Sequence, residues 1–489
     1  MEKTPTSADA VIVGGGFGGL AAALTLVERG RSVVLFEALK YPGGCASSFE
    51  KEGASYETGA TLFSGLGPDG LFGRWKRTHD LDVDFVFPDP AVELRVPGRS
   101  LSVFTDRQRF IDQLCALPGA PEADIRAFFA AQRRVAEALW PVLDHPDRLL
   151  PFGPGGLAWH LKRCHQYLPL VGHMGRPALH LLKRHGLDQW RPLRTWVDAL
   201  CQITVQASAA EAEAPFALST LDYAFRGTGH VHGGIGKLAW AMVEAIRAGG
   251  GHVVLPSRVR SIERTAQGWR VGARNHRVDC KQVVCNVLPQ VVDHLTPEEL
   301  PGLAPMGEQV AAGWSACMLY LQLRPDADLR PEPHHIELVA DEDAPFIDGN
   351  HIFVSVSGAD EGRAPEGART VTVSTHVRPD RLQADPAPVV ASVQARMRDT
   401  LAALAPEVHG ATIHSMTASP RTWRRFTGRP GGLVGGVPRT VGLHHYTRIG
   451  PRQVVPGLWM VGDSVFPGQS TLATALGGAS TARAVDRAH

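Results

Sequence analysis

The sequence predicts an α/β fold built on a parallel sheet. Two segments near opposite ends of the 489-residue chain predict it, since each reads as an apolar strand, a glycine-rich turn and a helix. The chain between these two segments shows helical periodicity in one part and alternating strands in another, which predicts a helical region and a second sheet. A chain of this length has room for two or three domains and a large core.

The first segment forms a strand–helix–strand unit. Asp9–Val13 and Ser32–Glu37 read as strands, and about Gly18–Arg29 reads as the helix, which Gly30 ends. This order is typical of a Rossmann-type dinucleotide site, in which the two strands are parallel neighbours.

The glycine turn of this unit indicates what it binds. Gly14 permits the tight turn, Gly16 lets the backbone approach a pyrophosphate at the helix N-terminus, and Gly18 follows in the same turn. Gly19 lets the helix pack closely on the strand. Glu37 ends the second strand roughly 20 residues further on, where a carboxylate can accept hydrogen bonds from ribose hydroxyls. A glycine turn without a ligand is the alternative.

A second glycine pair, Gly43 and Gly44, lies just beyond Glu37 and is followed by Cys45. It resembles the GG motif of the two-dinucleotide-binding flavoprotein superfamily, in which the pair runs beside FAD. An ordinary Pro-Gly turn is the alternative for this segment.

The C-terminal segment "PGLWMVGDSVFPGQSTLATALGGASTARAV" gives a strand over Leu458–Val461, then Gly462 and Asp463, a loop and a small-residue helix. It resembles the C-terminal FAD motif of the same superfamily. That resemblance implies that Asp463 binds near the ribityl phosphate and that the helix N-terminus points at the flavin. The predicted contacts there are Gly468, Ser470 and Thr471. The positive end of a helix dipole favours an anionic reduced ring, so the two motifs together predict FAD.

A third segment lies between them in the chain. It reads as a helix over Lys237–Ala248, a strand over His252–Leu255 and a hairpin over residues 258–271, and "QVVCNVLP" reads as another buried strand. In the superfamily, Val259 would present backbone groups to the adenine.

Three stretches narrow the resemblance: "PGGCASSFEKEGASYETGATLFSGL", "SPRTWRRFTGRPGGLVGG" and "VGDSVFPGQS". They resemble the phytoene desaturase and carotenoid isomerase family, including its C-3',4' carotenoid desaturase relatives. Monoamine-oxidase-like members usually have Arg where this chain has Cys45, for which a reactive thiol is the alternative to a cofactor-lining role. The resemblance implies an FAD-dependent oxidoreductase with a hydrophobic polyene substrate.

Desaturation by hydride transfer to flavin N5 is the first expectation. A polyene cis-trans isomerase and a polyene saturase, which use the same fold, are the alternatives. Two alternatives lie outside polyene chemistry. An amine oxidase is disfavoured by Cys45, and a non-enzymatic isoprenoid-binding escort protein is disfavoured by the intact FAD motifs. The electron acceptor, a quinone or oxygen, stays open.

Three residues are candidates for catalysis. Glu57 lies in "YETGAT", which the resembled family places beside the flavin; a structural glutamate is the alternative. Arg425 lies in a family-like segment but could pair with an acid. His232, in "GHVHGG" with His230, precedes a glycine turn and could approach the site or be structural.

The motifs predict a discontinuous FAD-binding domain made of residues 1–75, 225–290 and 440–489. Residues 76–224 read mainly as helices that cap the substrate region. Residues 291–439 carry alternating strands and are predicted to form a second, mixed sheet over the flavin.

Residues 159–198 combine tryptophans and leucines with seven basic and two acidic residues. Basic amphipathic segments of this kind lie well at an anionic bilayer surface. We therefore expect peripheral membrane contact there, a helical cap with a solvated basic face being the alternative.

Composition excludes several other classes. A formal net charge of +1 does not indicate the basic surface of a nucleic-acid-binding protein. Seven cysteines without a CxxC, and the lack of HExxH or acidic metal spacing, predict neither a disulfide framework nor a metal site. Met1–Ala10 reads as no secretion signal, and no apolar run reaches a spanning length. We therefore expect a cytoplasmic protein.

Overall fold

The structure is a computed structural model that describes residues 4–145, 148, 152–329, 334–382 and 386–488. The first three residues of the N-terminal stretch discussed above lie outside this set.

The strands are given first, in chain order. They are β1 (Ser7–Val13), β2 (Val33–Phe36), β3 (Ser48–Lys51), β4 (Ala54–Glu57), β5 (Leu62–Phe63), β6 (Phe85–Val86), β7 (Val92–Val96), β8 (Arg99–Val103), β9 (Gly229–Val231), β10 (His252–Val254), β11 (Val259–Thr265), β12 (Gly268–Ala273), β13 (His276–Cys285), β14 (Trp314–Leu323), β15 (His334–Val339), β16 (His351–Val356), β17 (Arg369–Val377), β18 (Thr412–Ala418), β19 (Leu433–Val434), β20 (Arg452–Val455) and β21 (Leu458–Met460).

The α-helices follow in the same order. They are α1 (Phe17–Glu28), α2 (Leu71–His79), α3 (Arg107–Cys115), α4 (Glu122–Asp144), α5 (Pro154–Arg163), α6 (Leu168–Val171), α7 (Leu179–Arg184), α8 (Arg191–Thr204), α9 (Ala214–Thr220), α10 (Ile235–Ala248), α11 (Pro289–Leu295), α12 (Leu303–Ala311), α13 (Pro386–Leu404), α14 (Pro406–Ala411), α15 (Pro420–Thr427) and α16 (Thr471–Arg487).

The first sheet is the predicted parallel one. Its parallel strands follow the order β10, β2, β1, β13 and β21, and an antiparallel branch of β12 and β11 continues from the first half of β13. Because strands of such sheets are covered on both faces, residues 10–13 of β1 and all of β2 are apolar and buried without alternation. Ala10 and Ile12 pack towards α1, α10 and α16, whereas Val11 and Val13 face the β11–β13 side. The α/β fold is thereby confirmed, and the terminal motifs meet because α1 packs on α16.

The second sheet runs β18, β14, β17, β16, β15, β7 and β8, with β19 paired to β14. All its neighbours are antiparallel except β15 and β7. Its outer face packs on α13 and α14 through residues such as Leu319, Val354 and Met397. The inner face lies over the first sheet's carboxyl edge.

Two parts of the second sheet differ from the sequence prediction. The hairpin β7–β8 lies within residues 76–224, which the sequence analysis treated as mainly helical, and β15 was not predicted. The hairpin signal was present, since Val92–Val103 alternates around a Pro-Gly turn. The rest of residues 76–224 is mainly helical, and these helices pack around a core of their own that includes Phe110, Phe129 and Trp196.

Among the residues that the structure describes, no helix combines the length and the apolar character needed to cross a membrane.

Candidate active site

One cavity of about 480 Å³ runs from the carboxyl edge of the first sheet to the inner face of the second. Its first part is lined by the glycine turn after β1 and by the loops after β2, β13 and β21. Its second part is lined by β14, β16 and β17 of the second sheet and by α8. Ligands of open parallel sheets bind at this edge.

The turn after β1 brings backbone rather than side chains to the cavity. Gly14 has a φ of +100°, which favours glycine, and its amide donates to the Phe36 carbonyl at 2.8 Å. A β-carbon on Gly16 or on Gly18 would lie 2.7 Å from the Asn286 side-chain amide. The bare backbone at the start of α1 is thus enforced by packing and leaves an anion-binding helix N-terminus open to the cavity.

The second glycine pair lies directly against the first. The Gly43 amide donates to the Gly15 carbonyl at 2.8 Å, and Gly16 and Gly43 form a parallel β-bridge. Gly43 has a φ of +105°, and a β-carbon there would lie 2.5 Å from the Ala46 carbonyl oxygen. Both glycine motifs therefore belong to one cradle.

Glu37 completes the cradle at the end of β2. Its carboxylate oxygens accept from the Gly15 and Leu39 amides, both at 2.7 Å, and the residue is buried. Burial raises the pKa of Glu37, against the lowering effect of those amides. A carboxylate offers about four acceptor positions, so two amides leave capacity for ribose hydroxyls.

Asp463 lies in the cavity wall beside an arginine that the sequence analysis missed. Asp463 Oδ2 accepts from the Arg429 guanidinium at 2.6 Å, and Arg429 also contacts the Cys45 thiol. Burial raises the pKa of Cys45, with Arg429 opposing, so the thiol is not activated as a thiolate. Arg429 and the predicted candidate Arg425 belong to the same segment, "TWRRFTGRPGG".

The N-terminus of α16 meets the cavity at its middle. Ser470, the N-cap, has a φ of +97° and accepts from the Ala473 amide at 3.0 Å. A non-glycine residue in this conformation costs on the order of 1–3 kcal/mol and is typical of functional sites. The Thr471 and Thr61 hydroxyls are buried against the cavity without a hydrogen-bond partner in the described residues. Unpaired hydroxyls beside a helix N-terminus and a bare glycine cradle fit a phosphate-bearing cofactor.

Most predicted cofactor residues line this cavity. They are Gly14, Gly16, Gly18, Glu37, Gly43, Gly44, Cys45, Val259, Gly462, Asp463, Ser470 and Thr471. Two do not. Gly19 instead packs α1 on the turn, since a β-carbon there would lie 2.1 Å from the Gly14 oxygen, and Gly468 lies against Arg439.

Glu57 does not line the cavity, which corrects its expected catalytic role. It is 2% exposed, accepts from the Ile235 amide at 2.9 Å, and pairs with Arg363 at 3.2 Å. Its backbone carbonyl also accepts from the Thr372 hydroxyl of β17 at 3.1 Å. It is thus bound in a structural ion pair.

Arg425 and His232 are also outside the cavity lining. Arg425 is an exposed residue of α15 whose guanidinium lies 5.6 Å from the Phe426 ring centroid. His232 is partly exposed and pairs with Asp360 at 3.4 Å. Neither side chain is part of the cavity lining, so neither has the contact that a catalytic group needs.

The second sheet brings three titratable side chains to the cavity that the sequence analysis did not single out. Glu337 on β15, His351 on β16 and His376 on β17 line it together with Ser374. Burial raises the pKa of Glu337 to about 8 and lowers those of His351 and His376 to about 3 and about 4. All three are therefore neutral at neutral pH. The remaining lining of this part is mainly apolar.

This fold and cradle define a dinucleotide-binding protein of the Rossmann type. The chain belongs to the flavin containing amine oxidoreductase family, whose model matches residues 17–485. FAD is therefore its cofactor and the expectation of an enzyme is confirmed.

Three curated relatives extend the comparison. Prolycopene isomerase of Daucus carota is 24% identical, over 98% of this chain and 80% of its own. A 4,4'-diapophytoene desaturase of a Methylomonas species is 24% identical, over 74% and 72% of the two chains. Human all-trans-retinol 13,14-reductase is 23% identical, over 66% and 55%. The chain thus groups with carotenoid desaturases, isomerases and retinol reductases, as the sequence motifs indicated.

Solved structures give the same fold. An oxidoreductase from Methanosarcina mazei matches with a TM-score of 0.65 and 18% identity, covering 96% of this chain and 98% of its own. A CLA-producing fatty acid isomerase from P. acnes matches with a TM-score of 0.64 and 10% identity, covering 99% of both chains.

Proposed function

We propose that the protein desaturates a carotenoid or a related polyene, with FAD as hydride acceptor. The observation that carries this proposal is the continuity of the cavity. It leaves the glycine cradle and continues past Trp196, Leu200 and Ile203 on one side and Met318 and Phe353 on the other. An apolar passage of this kind suits a long hydrocarbon chain and excludes water from the reaction.

The relatives' names support the substrate class and leave the reaction to be tested. They describe a prolycopene isomerase, a 4,4'-diapophytoene desaturase and an all-trans-retinol reductase. A cis-trans isomerase or a saturase is therefore the second candidate. Product mass separates the three reactions, because desaturation removes two hydrogens, isomerisation changes none and saturation adds two.

When bound, FAD supplies the hydride acceptor. The chain's own residues hold and orient the reactants. Gly16, Gly43 and Glu37 would bind the dinucleotide, and the N-terminus of α16 would favour negative charge at the flavin end. Hydride transfer needs reacting atoms about 3–3.5 Å apart, so the narrow passage under β14 would contribute by fixing the polyene against the ring.

The decisive experiment is expression in a carotenoid-producing host, followed by mass analysis of the accumulated pigments. We expect a pigment two hydrogens lighter per cycle. A variant that blocks the passage, Leu200→Trp, should abolish the change while retaining flavin, because Leu200 lines the cavity on α8 and not on the strand that borders the cradle. Unchanged pigments together with peroxide release from amines would instead support an amine oxidase.

We also propose that the protein docks on a bilayer through α5, α6 and the turn between them. Leu161, Leu168 and Val171 are 63%, 70% and 67% exposed, and Leu157 is 48% exposed. Exposed apolar residues concentrated on one short segment mark an interaction surface. Lys162 lies among them and is itself exposed.

The remaining part of residues 159–198 adds less to the proposed bilayer contact than the sequence suggested. Leu181, Leu182 and Trp196 are buried in the helical core. Arg191 pairs with Asp343 at 2.8 Å, and Arg194 pairs with Asp198 at 2.5 Å. The proposed docking surface therefore consists of the exposed apolar residues of α5 and α6, whereas Arg191 and Arg194 are engaged in these ion pairs.

Sedimentation with phosphatidylglycerol vesicles at low salt tests the docking proposal. Leu161→Asp with Leu168→Asp should reduce the bound fraction strongly, since charge at an inserted position opposes burial in the bilayer. Ile413→Asp is the matched control, because Ile413 is 61% exposed on β18. Equal binding of wild type and double variant would contradict the proposal.

A further inference from the structure

The wall that the second sheet gives to the cavity contains a buried carboxyl group. Glu337 is 4% exposed and lines the cavity. Within the described part of the chain, its side chain makes no hydrogen bond or ion pair, and burial is the only influence on its pKa, which is about 8. At neutral pH the group is therefore a carboxylic acid that has one O–H to donate.

The strand register fixes where this group lies. Glu337 pairs with Phe353 on β16, Phe353 with Ser374 on β17, and Ser374 with Met318 on β14. These four residues form one row on the inner face, with three strand spacings of about 4.8 Å each between Met318 and Glu337. Glu337 is thus about 14 Å across the sheet from the strand that borders the flavin cradle.

A histidine accompanies it at that end of the cavity. His351 pairs with Val339 and is the diagonal neighbour of Glu337, a relation in which the two residues lie about 7–8 Å apart. Burial keeps His351 neutral, and its Nε2 is buried without a partner in the described residues. Val92, Val103 and Trp196 complete this part of the lining.

Two neutral polar groups with unused hydrogen-bonding atoms, the Glu337 carboxyl and His351 Nε2, need an explanation. A buried polar group that lacks a hydrogen bond costs free energy that an apolar side chain of similar size would not. The separation from β14 argues against a role in hydride transfer, which needs direct contact. A ligand group that hydrogen-bonds to Glu337 would account for both the residue and its position.

We propose that Glu337, with His351 beside it, binds an oxygen function of the substrate, so that the preferred polyene carries a hydroxyl or carbonyl group at the end remote from the reacting bond. This inference rests on the proposed function and deepens it, since it specifies the substrate class. A carboxylic acid can donate to either oxygen function and accept from a hydroxyl.

The test compares two ligands that differ in one hydroxyl. All-trans-retinol and its hydrocarbon analogue, in which a methyl group replaces the CH₂OH, are titrated into the FAD-loaded protein, and polyene fluorescence reports binding. We expect retinol to bind about tenfold more tightly, the ratio for one additional hydrogen bond in a dry site. Glu337→Leu should reduce the ratio to about one, and Glu337→Gln, which keeps a donor and an acceptor, should preserve most of it.

Glu407→Leu is the matched control, because it removes a half-exposed carboxylate that pairs with Arg95 outside the cavity. Its ratio should equal that of the wild type. Equal ratios in wild type and Glu337→Leu would overturn the inference and leave the proposed function standing, since both polyenes would still bind. Failure of both polyenes to bind the flavin-loaded protein would contradict the proposed function and the inference with it.

Discussion

Removal of Arg363 should destabilise the protein more than removal of an exposed arginine. Arg363 pairs with Glu57 at 3.2 Å and with Glu361 at 3.7 Å, and these side chains are only 4%, 2% and 1% exposed. Glu361 also pairs with His230 at 3.1 Å. Arg363→Leu would leave two buried carboxylates sharing a single cation. Breaking a buried pair in this way costs roughly 3–5 kcal/mol.

The expected change in melting temperature follows from chain length. Unfolding entropy is about 2.1 cal/mol/K per residue, or on the order of 1 kcal/mol/K for this chain, so Tm should fall by roughly 3–5 °C. The assay is thermal unfolding of the FAD-loaded protein at a fixed scan rate. Arg270→Leu is the matched control, because Arg270 and Asp279 are 46% and 51% exposed and such pairs contribute little.

Equal Tm values for Arg363→Leu and Arg270→Leu would refute this reasoning.

The same network also predicts that the fold loses stability in acid. Burial tends to raise the pKa of Glu361, but the hydrogen bond from His230 and the charges of His230 and Arg363 outweigh it and lower the value to about 2. A lowered carboxyl pKa stabilises the fold above its ordinary value of 4.5, and this contribution is lost as pH falls towards 2.

Three further outcomes are expected. Glu37→Ala should lose FAD during dialysis, measured by flavin absorbance; full retention would contradict the ribose role. Gly43→Ala should also lose FAD, because its β-carbon would lie 2.5 Å from the Ala46 oxygen, whereas Gly98→Ala, with nothing within 4 Å, should not. The free energy of unfolding of the ligand-free wild type should fall by about 5 kcal/mol as pH rises from 4.5 to 9, because burial raises the pKa of Glu337 to about 8 in the folded protein. Glu337→Leu should lack this loss, and parallel Tm–pH curves would contradict it.

The elements predictable from sequence were those whose signal is local. The strand predicted at Asp9–Val13 is Ser7–Val13, and the helix predicted at Gly18–Arg29 is Phe17–Glu28. A glycine turn between an apolar strand and a small-residue helix specifies its own geometry. The C-terminal motif was predictable for the same reason.

The contacts that required tertiary structure were missed. Arg429 meets Asp463 and Cys45 only after the ends of the chain pack together. Its own segment, Ser419–Gly436, contains three other arginines, so nothing local distinguishes the one that turns inward. Glu57 was assigned to the flavin because its segment resembles the family's, while its partner Arg363 belongs to a distant loop.

The polar residues of the second sheet illustrate the same limit. β15 reads "HHIELV", a run in which two histidines and a glutamate interrupt the apolar pattern of a buried strand, and it was therefore not predicted. All six residues are nevertheless buried. Pairing on both sides and packing on both faces override the local pattern here.

The distribution of charge along the cavity connects these findings. The dinucleotide end holds Glu37, Arg429 and Asp463, which can contact phosphate and ribose, and the far wall holds Glu337, which burial keeps protonated. A passage for a bare hydrocarbon would gain from apolar residues along its full length, because each unpaired polar group costs stability. The retention of a neutral acid at the end remote from the cradle is therefore best explained by the ligand. In this proposal the cradle determines which cofactor binds, and the apolar passage limits the length of the polyene. Glu337 then determines which end of the polyene enters first.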